Sequence, residues 1–197
     1  MSLATQSIDR AAVTDADLIP VLRDRWSPRS FDPTAEVQDD VVSTVLEAAR
    51  WAPSAMNSQP WRFIVAKRGG ASFAKIHEAL MGFNKVWADS ASVLLVALTE
   101  TEDSEGKPRP WAQYDLGQSV SSMIVQASAE GLHAHQMAGF DADQLRVSFD
   151  VEAQLAPTTV VALGYLGAAD ALPEVLHERE IAPRERKSLS DIVLVQD

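Results

Sequence analysis

The feature that most restricts what this chain can fold into is residues 92–99 (SVLLVALT), a nearly continuous apolar run of strand length. A strand with no polar side is covered on both faces, so the fold needs helical layers above and below a sheet. Residues 158–165 read as a second buried strand, residues 61–66 (WRFIVA) as a third and residues 133–137 as a short fourth. Between them the spacing predicts helices. The first begins after Thr14, capped by it with Asp17 three residues on, carries Leu18, Ile19, Leu22 and Trp26, and ends near Ser27-Pro28. Others cover residues 38–52, 72–80, 111–130 (closed by Gly131) and 141–149. Strands separated by helices without an internal boundary predict one α+β domain over residues 1–197, a three-layer α/β/α arrangement.

Composition narrows the partners. The formal charge of −11 argues against nucleic acid or an anionic membrane, both of which need a cationic face. The absence of cysteine excludes disulfides, thiolate catalysis and thiolate-held zinc. The opening residues have no basic start followed by an apolar run, and no stretch is long enough to span a bilayer, so a cytoplasmic location is expected.

No glycine-rich dinucleotide fingerprint follows a strand, and no P-loop lysine motif occurs. His133 and His135 lie two apart on one side of a strand. With no carboxylate to complete a ligand set they read as one packed and one solvated histidine, and no metal site is expected.

Two segments remain. In Arg25-Trp26-Ser27-Pro28-Arg29-Ser30-Phe31 the alternation of Arg25, Ser27 and Arg29 puts two guanidinium groups and a hydroxyl on one side of an extended chain. Such a set suits phosphate, which arginine grips bidentately; solvated arginines at a helix end fit the same residues. In Ala52-Pro53-Ser54-Ala55-Met56-Asn57-Ser58-Gln59-Pro60-Trp61, small residues and two amides allow a flat ring to approach the backbone. A rigid helix-to-strand connection fits these residues equally well.

Taken together, in this order and spacing, the segments resemble the flavin-dependent (FMN) nitroreductase family. Its members carry an Arg-x-Ser-x-Arg element and then a Pro-Ser-x-x-Asn-x-Gln-Pro-Trp segment. The likeness continues through Asn84, Tyr114-Asp115-Leu116-Gly117, Gly131-Leu132, Met137-Ala138-Gly139-Phe140, Leu163-Gly164-Tyr165 and the basic tail Arg184-x-Arg186-Lys187-Ser188-Leu189. The resemblance implies a central mixed sheet flanked by helices and a homodimer with FMN in its interface. It places Arg25 and Ser27, completed by Arg184 and Arg186, on the FMN phosphate, with Trp26 between them, and Arg29 at the pyrimidine side of the ring. Pro53, Ser54 and Asn57 would reach the flavin from the other subunit. Met137, Ala138 and Gly139 would lie beside N5 and O4, and Asn84 near the pyrimidine edge. Trp26 stands where many members have a second cation, which predicts weaker FMN binding.

The implied activity is that of an NAD(P)H oxidoreductase: NADH or NADPH and then a nitroaromatic, quinone or related small electrophile use one pocket in turn, with no side chain as covalent catalyst. Trp51, Trp61, Trp87 and Trp111 are candidates to shape that pocket, against a role as core or interface filler. Rival readings are an FMN store or sensor with little turnover, a specialised dehalogenase or small-aldehyde reductase, and, more distantly, a hydrolase using Ser54. The apolar segment 192–195 is expected to seek a partner surface.

Overall fold

In the computed structural model, which describes residues 10–196, the apolar run forms strand β2 (Val93–Glu100). Residues 1–9, read above as carrying no secretory leader, and residue 197 lie outside the described residues. Strand β2 pairs with β1 (Trp61–Lys67) on one side and β4 (Leu155–Gly164) on the other, and β4 pairs with β3 (His133–Met137), giving the order β1-β2-β4-β3. Every pairing is antiparallel. The mixed sheet expected above is therefore not formed by the described residues of one chain.

The alternation along β2 assigns the layers. Val93, Leu95 and Ala97 face a core with α2 (Asp39–Arg50) and α5 (Ala112–Ala129), through Val45, Ala49, Leu116, Val120 and Met123. Leu94, Val96 and Leu98 face a second core with α3 (Ala71–Ala79) and α6 (Ala142–Phe149), through Phe73, Ile76 and Leu145. Fully burying each large apolar side chain contributes about 1.5–3 kcal/mol. Both faces of β2 are thus covered, as its sequence requires. A register shift between Ala97 and Leu98 moves the partner from Thr159 to Pro157. The bulge accommodates a proline, which has no ladder donor, inside an interior strand.

Most elements fall within three residues of their expected ends, and β3 and the Asp141 cap of α6 coincide with them. The first helix does not. Only α1 (Pro20–Asp24) forms, and it buries none of its residues. Pro20 occupies the first turn and holds Ile19 extended, so the preceding apolar residues cannot join. Thr14 caps no helix; its hydroxyl accepts from the backbone N–H of Ala16 at 3.1 Å. The remaining helices are α4 (Asn84–Trp87), α7 (Glu174–Ile181) and α8 (Leu189–Ile192). No helix of the described residues is long and apolar enough to cross a membrane.

Candidate functional site

Because α1 stops at Asp24, Arg25 begins an extended turn. Alternation then separates its side chains. Trp26 goes inward, where Arg10 lies 4.7 Å over its ring and His133 meets it edge-on at 6.1 Å. Arg25 and Ser27 go outward, their guanidinium and hydroxyl 3.5 Å apart, into a groove shared with Leu22, Gly117, Ser121 and Gln136. The Trp26 ring is committed to packing rather than to that groove.

Two groups, one buried and one half-buried, fix the turn from behind. The Glu180 carboxylate of α7, 0% exposed, accepts from the backbone N–H of Arg29 at 2.9 and 3.0 Å and of Ser30 at 2.9 Å. It also lies 3.8 Å from the Arg29 guanidinium. His135 donates from Nδ1 to the Pro28 carbonyl at 2.8 Å, since a carbonyl can only accept. Burial pushes the His135 pKa down to about 4, with Arg29 adding to the effect and the backbone hydrogen bonds opposing it. His135 is thus the neutral, packed member of the histidine pair. Burial and the Arg25 charge also lower the pKa of His133, which is partly buried rather than solvated. Among the described residues no group of three His, Cys, Asp or Glu is placed to hold a metal.

The tail adds positive charge. Arg184 donates from Nη1 to the backbone carbonyls of Arg10 and Arg23, which docks it beside α1. Burial first, then Arg25, Arg186 and Arg10, lower its pKa, and Asp24 partly offsets them. Arg25 is lowered by burial and by Arg186. The Nε and Nη1 atoms of Arg10 are buried without a hydrogen-bond partner. Arginines that repel one another thus concentrate positive charge in this corner of a chain whose net charge is −11. Gly117 adds a second observation. It sits inside α5, where glycine costs about 1 kcal/mol relative to alanine, yet a Cβ there would meet nothing within 4 Å. The packing of the chain does not require it, and it lines the groove beside Arg25 and Ser27.

The Pro53 segment makes a different surface. Met56, Asn57 and Gln59 hold φ of 55°, 55° and 47°, uncommon for residues with a Cβ. The buried Asp115 carboxylate accepts from the Ala55 N–H at 3.1 Å, and the Ser54 hydroxyl accepts from Gln59 N–H at 3.0 Å. Pro53, Ser54 and Ala55 line a shallow pocket with Trp111, Tyr114 and Gln118; Asn57 is exposed beside it. Trp51, Trp111 and Tyr114 are 73%, 63% and 66% exposed, whereas Trp61 and Trp87 are core residues. This pocket and the Arg25 groove use different residues of α5.

In the third segment the Met137 side chain is buried, leaving backbone and the exposed Ala138. The Gly139 carbonyl accepts from the Met81 N–H at 2.9 Å and from Asn84 Nδ2 at 3.2 Å. The Asn84 amide is therefore partly spent on positioning this loop. Sequence reading missed Arg10, Glu180 and the space at Gly117, although Gly117 lay in a quoted motif and a mid-helix glycine is a legible signal.

The nitroreductase family model matches residues 22–86 and 71–165 of the chain. The crystal structure of an oxidoreductase containing FMN superposes with a TM-score of 0.87 at 36% identity, covering 96% of each chain. The oxygen-insensitive NAD(P)H nitroreductase of Salmonella typhimurium is 26% identical, over 78% of this chain and 91% of its own. A putative nitroreductase of Desulfovibrio desulfuricans, in complex with FMN, shares the fold with a TM-score of 0.74 at 22% identity, covering 93% and 99% of the two chains. The chain belongs to the nitroreductase family.

Proposed function

We propose that the protein is an FMN-dependent NAD(P)H oxidoreductase that works as a cytoplasmic homodimer of single-domain protomers. The observation that carries the reading is the cluster of positive charge formed by Arg25, Arg184 and Arg186, close enough to lower one another's pKa, beside the groove that Arg25 and Ser27 share with Gly117. The FMN phosphate fits the guanidinium groups with the Ser27 hydroxyl, and FMN bound there supplies reversible hydride acceptance and release. Arg29 sets a cation where negative charge develops on reduction. Pro53, Ser54 and Asn57, with the backbone of Met137, Ala138 and Gly139, bound the ring, and Asn84 holds the Gly139 carbonyl in place.

Two features favour a site shared between protomers. The Arg25 groove measures about 300 Å³ and the Pro53 pocket about 250 Å³, at or below the lower end of the roughly 300–1,000 Å³ of small-molecule sites. The exposed Trp111 and Tyr114 that line the second pocket, with Trp51 exposed at the end of α2, are aromatic surface of the kind that marks interfaces. The tail from Ile192 to Val195 is likewise exposed and is assigned to the partner's surface.

Exposed aromatic residues at the pocket suit flat acceptors such as nitroaromatics and quinones, and the short turn at residues 101–110 leaves the pocket open. Nicotinamide and acceptor then occupy one pocket in turn, so double-reciprocal plots are parallel. The test is titration of the apoprotein with FMN and with riboflavin while light scattering follows its mass. A dimer that binds FMN at least tenfold more tightly than riboflavin supports the reading; equal binding, or a flavin-loaded monomer, contradicts it.

A further inference from the structure

We propose that Glu180 is a positioning residue of this site, fixing the backbone at Arg29 and Ser30 and limiting the positive charge that Arg29 presents to a bound group. The inference rests on the flavin reading above and adds a regulator of its charge. Helix α7 is otherwise largely exposed and polar, and only Leu176 and Glu180 are buried in it. A fully buried carboxylate is costly unless it is compensated, and stability alone is a weak reason to keep one. Here the compensation comes from the turn itself. Oε1 accepts from Arg29 and Ser30, Oε2 from Arg29, and the Arg29 guanidinium stands 3.8 Å away. The surroundings reinforce this anchorage: Ser30 Oγ donates to the Ala168 carbonyl at 2.6 Å, and the Gly167 N–H donates to the Ser30 carbonyl at 2.9 Å.

The geometry has two separable consequences. With both amides held, Arg29 cannot rotate its backbone, and its side chain leaves the turn in one direction. With a carboxylate behind it, the cation is partly neutralised on its protein side. Arg29 keeps 26% of its side-chain surface exposed, so the remaining charge faces outward. A group whose negative charge grows on reduction is then stabilised by Arg29 less than by an unpaired arginine. Glu180 therefore holds the reduction potential of bound FMN down.

Two variants separate these consequences. Glu180→Gln keeps an oxygen for both amides and removes the charge. It should favour reduced over oxidised FMN about tenfold more than the wild type, which for a two-electron couple is about +30 mV. Glu180→Ala removes the acceptor altogether. In its apoprotein, hydrogen exchange at the Arg29 and Ser30 amides should accelerate at least tenfold while the β2 and β4 amides keep wild-type rates. An unchanged potential in Glu180→Gln overturns the electrostatic role, and unchanged local exchange in Glu180→Ala overturns the positioning role. If the wild type takes up no FMN, the flavin reading fails, and apoprotein exchange alone supports or overturns the placement by Glu180.

Discussion

The Asp115 carboxylate, 2% exposed near the start of α5, accepts a 3.1 Å hydrogen bond from the backbone N–H of Ala55. It thereby ties the longest helix to a loop in which Met56, Asn57 and Gln59 all adopt positive φ. Left-handed residues with a Cβ persist only where surrounding contacts hold them, and this bond is one such contact. Asp115→Ala should lower stability by about 1–3 kcal/mol, the cost of an unsatisfied amide, and weaken FMN binding further through a mobile Pro53–Ser54 wall. Asp115→Asn, which retains an acceptor, should recover most of the stability. Urea melts and FMN titrations of both variants check this. Equal effects of Ala and Asn would show that the charge, not the hydrogen bond, matters.

Gly117 separates stability from function. Gly117→Ala should stabilise the apoprotein by about 0.5–1 kcal/mol through helix propensity, raising Tm by roughly 1–4 °C. The same methyl projects into the space beside Arg25 and Ser27, so FMN affinity should fall at least fivefold. Calorimetry of the apoprotein and fluorescence titration read the two effects. Unchanged affinity would remove Gly117 from the site.

His135 gives a pH dependence with a definite sign. Its folded pKa of about 4 lies below the unfolded value of about 6.5, so the unfolded chain binds the proton more readily between these values. Stability from this group is fully present above pH 6.5 and is lost as pH falls towards 4, by on the order of 3 kcal/mol at most. His133, also lowered, acts in the same direction. Denaturation midpoints measured from pH 7 to 4.5 should fall for the wild type and fall less for His135→Gln. Identical profiles would contradict the half-buried, neutral histidine.

Gly167 is required for the approach of two strands of chain. A Cβ there would stand 2.5 Å from the backbone carbon and oxygen of Phe31, closer than van der Waals contact allows. Gly167→Ala should therefore destabilise by about 1–3 kcal/mol and, by shifting the turn that carries Arg29, weaken FMN binding. A melt at wild-type temperature would show that the backbone yields without cost.

What the sequence made legible follows from how local each signal is. Strand β3 and the Asp141 cap depend on adjacent residues, and both are found where expected. The first helix is shorter than apolar spacing around Leu18 predicts because Pro20 sets its N-terminal limit, pushing Ile19 out of the α region. Arg25, Ser27, Arg184 and Arg186 were legible as an ordered motif, yet the placement of Arg184 beside α1 depends on its bonds to two backbone carbonyls. Glu180 could not be singled out, since Glu174, Glu178 and Glu180 look alike in a charged helix and only the tertiary fold buries one of them. Strand direction in the sheet was likewise invisible to periodicity, which is the same for parallel and antiparallel partners.

The most direct measurement is the absorption spectrum of the FMN-loaded protein under anaerobic conditions, followed through addition of NADH, then NADPH, then a quinone or nitroaromatic. Flavin absorbance that bleaches within seconds with a nicotinamide and returns with the acceptor is the predicted result. Flavin that stays bound but is not bleached by either nicotinamide would contradict the enzyme and leave a flavin-binding protein.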